Sequence, residues 1–120
     1  LSNSPQQALT LLNDPSFAEA SHAMADRLLA GHENDTFDDW LSEAFLNALS
    51  RQPSEDERAA LRSLYDRQWT YYQTNPEEAE KYVAVGRKSA TKSEASVSQV
   101  AAFGQVCRVI LNLHETITRF

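Results

Sequence analysis

Cysteine, glycine, proline and positive charge are all scarce in this chain, and each scarcity closes off a class of protein. Cys107 is the only cysteine among 120 residues, so no disulfide forms within the chain. Neither a cysteine zinc cluster nor a Cys-x-x-Cys-His haem attachment can be built from it. Three glycines and four prolines are too few turn and breaker residues for an all-β or low-complexity chain. No apolar run approaches the roughly 18 residues of a membrane-spanning helix, and no charged-then-apolar leader is visible, so membrane insertion is not expected. Eleven Lys and Arg stand against 17 Asp and Glu, a formal net charge of −6, which disfavours nucleic acid and anionic membrane surfaces as partners.

What is present reads as helix. Apolar residues make up 42% and charged residues 23%, the balance of a globular chain, and the length suits one domain over 1–120 with one core. The first residue is Leu1 rather than methionine, so the sequence is expected to be a processed or excised piece of a longer protein, with its address signal upstream.

Caps and stripes divide the chain into five or six helices. Ser4, Pro5 and Gln7 make a capping box with a first-turn proline, opening a short helix with Leu9 and Leu12 facing inward. It stops at Asn13-Asp14-Pro15, where Asp14 is placed to cap the next helix. That helix runs to about Ala30, with Phe17, Ala20, Met24 and Leu28 as its apolar stripe and Gly31 closing it. Asp35 or Thr36 caps a third, whose stripe is Phe37, Trp40, Leu41, Ala44, Phe45, Ala48 and Leu49. Pro53 and the Ser54-Glu55-Asp56-Glu57 box open a fourth, carrying Leu61, Leu64, Tyr65, Trp69 and Tyr72, with Tyr71 left outward. Asn75 caps and Pro76 starts a fifth, and Gly86 to Ser93 is the best loop. From about Ser93 to Leu113 the last helix is apolar on most of its circumference and is expected in the middle of an all-α bundle.

Chemistry-bearing residues concentrate on that last helix. Gln105, Arg108, Asn112, Glu115 and Arg119 recur at steps of three and four, one polar stripe in which Arg108 and Arg119 can hold a carboxylate or sulfate by their planar forks. The same spacing also describes the solvated edge of an ordinary amphipathic helix, with Glu115 and Arg119 as an exposed pair. Asp14 and Glu115 are the one carboxylate pair to consider for acid/base work on a glycan, provided both enter one cleft. His22, His32 and His114 lack metal-ligand spacing, and no metal or cofactor is expected. Cys107, among valines and isoleucine, reads as a small buried hydrophobe.

Three ordered motifs carry a likeness. Asn3-Ser4-Pro5-Gln6-Gln7-Ala8-Leu9 runs into Leu11 to Pro15; Leu49, Arg51, Pro53 and Glu57 follow; Val109 to Arg119 closes the chain. Together they resemble the C-terminal uncharacterised domain of large planctomycete secreted proteins, several of which carry a cytochrome c domain (domain-of-unknown-function family fifteen fifty-three). Ser4, Gln6, Ser50, Ser54, Ile110 and His114 depart from that pattern. The resemblance implies an extracytoplasmic setting and, as partners, the other domains of the same polypeptide, a cytochrome c domain among them. The reading that fits the caps and the polar stripe is a helical structural or interaction module with Asn13, Asp14, Arg108, Asn112, Glu115 and Arg119 at the contact. The alternatives are part of a glycan-acting enzyme using Asp14 and Glu115, or an acidic docking face for a cytochrome.

Overall fold

A computed structural model describes residues 15–30, 36–86 and 97–118. Among these the chain is all-α, with five helices and no strand: α1 (Pro15–Leu29), α2 (Phe37–Leu49), α3 (Glu55–Thr74), α4 (Pro76–Gly86) and α5 (Val97–Thr118). The expected short helix from Ser4, the Gly31 stop and most of the Gly86 to Ser93 loop lie outside the described residues; Gly86 itself is the last residue of α4.

The helix starts follow local chemistry. Thr36 caps α2: its hydroxyl accepts from the Asp39 N–H while the Asp39 carboxylate accepts from the Thr36 N–H at 3.1 Å. That backbone bond, then the Thr36 hydroxyl, holds the Asp39 carboxyl below its usual range. Ser54 does the same for α3, with Glu57 N–H donating to Ser54 Oγ at 3.1 Å and Ser54 N–H donating to Glu57 Oε1 at 2.8 Å. Each box satisfies amides that the first helical turn leaves without partners. Asn75 is divided between two helices: its side-chain amide donates back to the Tyr71 carbonyl at 2.9 Å, and its carbonyl accepts from Glu78 and Ala79. The α4 start is thus capped by backbone, and Pro76 at the first position has no N–H to satisfy.

Side chains from both helices specify the α2–α3 connection. Ser50 ends α2 at φ 58°, a left-handed conformation that a side chain rarely adopts, at a steric cost of about 1–2 kcal/mol. Immediately after it, Arg51 places both fork nitrogens on Glu57, at 2.8 and 2.9 Å, and lays its guanidinium over the Phe45 ring at 5.3 Å. Arg58 reaches back from α3 to Ser42 Oγ at 3.0 Å and to Asp38 at 3.5 Å. Arg51, buried Pro53 and Glu57 of the middle motif therefore form one structural device that sets the angle between two helices.

Glu57 also gives a pH signature. The Arg51 fork, then the Ser54 amide, lower its pKa from 4.5 to about 2. A depressed carboxyl pKa stabilises the fold above the unfolded value and loses that contribution as pH falls toward the folded one. Urea unfolding of wild type and Glu57→Gln should therefore differ most above 4.5 and converge as pH falls through about 2. A gap that stays constant down to that pH would mean the Arg51–Glu57 fork contributes nothing.

The core lies around α5, which packs on each of the other four helices. Val100, Ala101, Ala102, Phe103, Val106, Cys107 and Ile110 are all fully buried. Phe103 meets the rings of Phe37, Trp40 and Tyr65 edge-on at 6.0, 5.9 and 6.2 Å. From α2, Phe37, Trp40, Leu41, Ala44 and Phe45 are buried, with Ala48 and Leu49 packed against them. From α3 the buried residues are Leu61, Tyr65 and Tyr72, while Tyr71 is exposed. The α1 stripe needs correction: Ala20 is exposed, and the buried face is Ser21, His22, Met24, Ala25, Asp26, Leu28 and Leu29. An apolar-only stripe cannot find a face that carries a serine, a histidine and an aspartate. Among the described residues no helix is long and apolar enough to cross a membrane.

Candidate functional site

The six residues singled out from sequence divide sharply. Asn13, Asp14 and Arg119 lie outside the described residues, and Glu115 is on α5 with its side chain outside them. The Asp14–Glu115 pair therefore lies outside the described residues. Arg108 and Asn112 stand one turn apart on α5, both half-buried.

Half-burial corrects the picture of a solvated edge for this part of the stripe. The stripe starts between α5 and α3, where Gln105 donates through Nε2 to the Tyr72 hydroxyl at 2.8 Å. On its other side, the Gln105 Oε1 accepts from Arg108 Nη1 at 3.4 Å. Gln105 is thus a bridge, holding the Tyr72 hydroxyl and the Arg108 guanidinium on one polar edge. The Arg108 Nε is buried and makes no hydrogen bond. Ion pairs among the described residues join Arg51 to Glu57, Arg58 to Asp38, Arg62 to Asp66 and Lys81 to Glu78, and none of them includes Arg108. Glu78, whose charge also acts on Tyr72, is held by Lys81.

Behind this edge sits a residue that sequence reading passed over, Tyr82 of α4. Its ring stacks parallel to Tyr72 with centroids 6.4 Å apart and meets His22 edge-on at 5.7 Å. Its hydroxyl lies 2.7 Å from Ser21 Oγ, and Ser21 gives its own proton to the Ala18 carbonyl at 2.8 Å. With the serine proton so used, Tyr82 is the donor of the pair. Two signals point to it in the chain: Tyr82 is three residues after buried Ala79, and Gly104 opposite is a glycine inside a helix, where glycine weakens the helix unless something approaches closely. A Cβ at Gly104 would meet Tyr82 Cε2 at 2.7 Å.

Burial decides the protonation of this cluster. It pushes the Tyr72 and Tyr82 hydroxyls and the Cys107 thiol upward, so all three stay protonated near neutral pH and act as donors or packing groups rather than nucleophiles. On the polar edge itself this leaves the Arg108 guanidinium, a planar cation suited to an anionic group. Among the described residues no three His, Cys, Asp or Glu side chains gather as metal ligands. Elsewhere, Asp66, Trp69, Thr70 and Gln73 line a shallow cleft on α3.

A family model described as PSD1, protein of unknown function (DUF1553), matches residues 1–65. No curated protein and no solved structure matches the chain.

Proposed function

The chain belongs to the PSD1 family of proteins of unknown function (DUF1553), and from that premise we propose that it is a helical interaction module of a multidomain protein. It closes a larger extracytoplasmic polypeptide of planctomycete type and docks against that polypeptide's other domains, a cytochrome c domain being one candidate. The contact uses the α5 stripe, Arg108 and Asn112, extended by Asn13, Asp14, Glu115 and Arg119. One observation carries this: Arg108 is half-buried, its Nε makes no hydrogen bond, and no carboxylate of the described residues pairs with it. A cation partly withdrawn from water is best compensated by an opposite charge, and a neighbouring domain can bring one.

The test supplies the remaining domains of the parent polypeptide to this chain in trans and measures association by calorimetry. Binding in the micromolar range is expected, of the order seen for domain interfaces of roughly 600–1,500 Å². Arg108→Ala should weaken it by about tenfold or more, as loss of a charge-assisted contact does. Absence of binding, or binding that ignores Arg108→Ala, removes the proposal. Steep loss of affinity with added salt would favour an electrostatic encounter, as with a cytochrome, over an apolar docking face.

A further inference from the structure

Four side chains from successive turns of α3, Asp66, Trp69, Thr70 and Gln73, line one cleft of about 310 Å³, at the lower end for small-molecule sites. Their spacing sets them along a single stripe of the helix, roughly 10 Å long. Trp69 is half-buried and leans on Tyr65, with ring centroids 5.5 Å apart, while the other three are exposed. The indole Nε1 is buried, so what Trp69 shows to the cleft is ring carbon.

The polar groups around that carbon surface complement one another. Thr70 gives its hydroxyl proton to the Asp66 carbonyl at 3.0 Å, so toward a ligand its oxygen can only accept. Asp66 also accepts: Arg62 Nε reaches its two carboxylate oxygens at 3.4 Å each and leaves lone pairs unfilled. Gln73 makes no hydrogen bond among the described residues and brings an amide that donates. A fitting ligand is apolar on one face and carries hydroxyls, each both donor and acceptor, around its rim. A pyranose ring has that form. Charge selects a neutral one, because Arg62 beside the carboxylate opposes a cation and the carboxylate opposes an anion.

We propose that the Asp66, Trp69, Thr70 and Gln73 cleft of α3 is a binding subsite for a neutral saccharide, with the sugar ring on Trp69 and its hydroxyls on the three polar side chains. It uses none of the docking residues and stands whether or not docking does. The site holds a sugar without cleaving it: Asp66 is the one carboxylate among the described lining residues, and glycoside hydrolysis takes a pair.

The experiment follows the indole N–H resonances of the two tryptophans in the 15N-labelled 120-residue chain. Trp69 reports on the cleft, and core Trp40 is the internal reference. Cellobiose, maltose and diacetylchitobiose are titrated in separate arms, with glycerol, tetramethylammonium chloride and sodium acetate as controls. A saturable shift of Trp69 by at least one disaccharide, with Trp40 unmoved, is expected at a Kd of the order of 1 mM, as for a small ligand in an open cleft. Trp69→Leu, which keeps an aliphatic contact with Tyr65, should abolish saturation, read from the ligand's own signals. Gln73→Ala should weaken binding about threefold to tenfold, the loss of one hydrogen bond. Circular dichroism shows whether the Trp69 variant is unfolded, and exposed Gln73 decides the matter if it is. No saturation by any of the three sugars, a response no stronger than to glycerol, or sugar binding that ignores Gln73→Ala overturns the assignment. So does tetramethylammonium or acetate binding as tightly as the sugars, which would mean a charged ligand. Failure here leaves docking through Arg108 standing, and failure of docking leaves this site standing.

Discussion

Phe103→Ala is expected to lower the unfolding free energy by about 3–5 kcal/mol, the usual loss for truncating a fully buried phenylalanine. The ring is completely buried and meets three aromatic neighbours edge-on: Phe37 and Trp40 from α2, and Tyr65 from α3. Two losses add. Apolar surface goes back to water, and the cavity leaves those ring edges without the pairings worth roughly 0.5–1.5 kcal/mol each. Domains of this size are stable by only about 5–15 kcal/mol, so the variant should be marginal at room temperature. Urea denaturation followed by far-ultraviolet circular dichroism measures it, with Phe103→Leu as the reference that keeps aliphatic burial and loses less. A drop below about 1 kcal/mol for the alanine would mean that α2 and α3 do not converge on this ring.

The second large effect lies on the next residue. Gly104→Val is expected to destabilise the chain by about 3 kcal/mol, at the upper end for overpacking a tight interior. A Cβ built on Gly104 falls 2.7 Å from Tyr82 Cε2, 2.8 Å from its hydroxyl and 3.1 Å from Cζ. The ring cannot swing aside at small cost, because Ser21, His22 and Tyr72 hold it on three sides. Gly104→Ala sets two terms against each other: alanine improves helix propensity by about 1 kcal/mol, and the clash costs about 1–3 kcal/mol. Net destabilisation is expected because the colliding atoms belong to a pinned ring and not to the end of a flexible side chain. The decisive measurement is the double variant Gly104→Ala with Tyr82→Leu. If the alanine costs as much beside leucine as beside tyrosine, the α4–α5 approach described here is wrong.

Legibility from sequence followed the range of the interaction. Ser54 with Glu57 is a contact three residues apart that reads directly as a helix start, whereas sequence leaves Asp35 and Thr36 as rival caps of α2 and the structure selects Thr36, paired with Asp39. The α2 and α3 stripes were equally plain, since Phe37, Trp40, Leu41, Ala44 and Phe45 recur at helical spacing in a mostly polar background. The motif of Leu49, Arg51, Pro53 and Glu57 was visible as a family likeness, but not as the joint it builds. On α1, periodicity selected Ala20, whereas the buried face carries Ser21, His22 and Asp26. Ser21 is satisfied there by the Ala18 carbonyl and the Tyr82 hydroxyl, and His22 packs edge-on against the Tyr82 ring. No local pattern announces that.

The candidate site shows the same division. Arg108 and Asn112 were chosen from their places on one stripe, and both are on α5 and half-buried. Their company is not legible: Tyr72, a core position in sequence and structure alike, arrives from α3, 33 residues away in sequence from Gln105.

The chain by itself determined its family, its helical class, most helix starts and the core faces of α2 and α3, because these rest on composition and on contacts within one or two helical turns. Tertiary structure alone decided which side of α5 meets Tyr72 and Tyr82, why Gly104 must lack a side chain, and why Arg108 is withdrawn from water. A helix that reads from sequence as apolar on most of its circumference offers several nearly equivalent faces. Only the simultaneous packing of four neighbours selects among them.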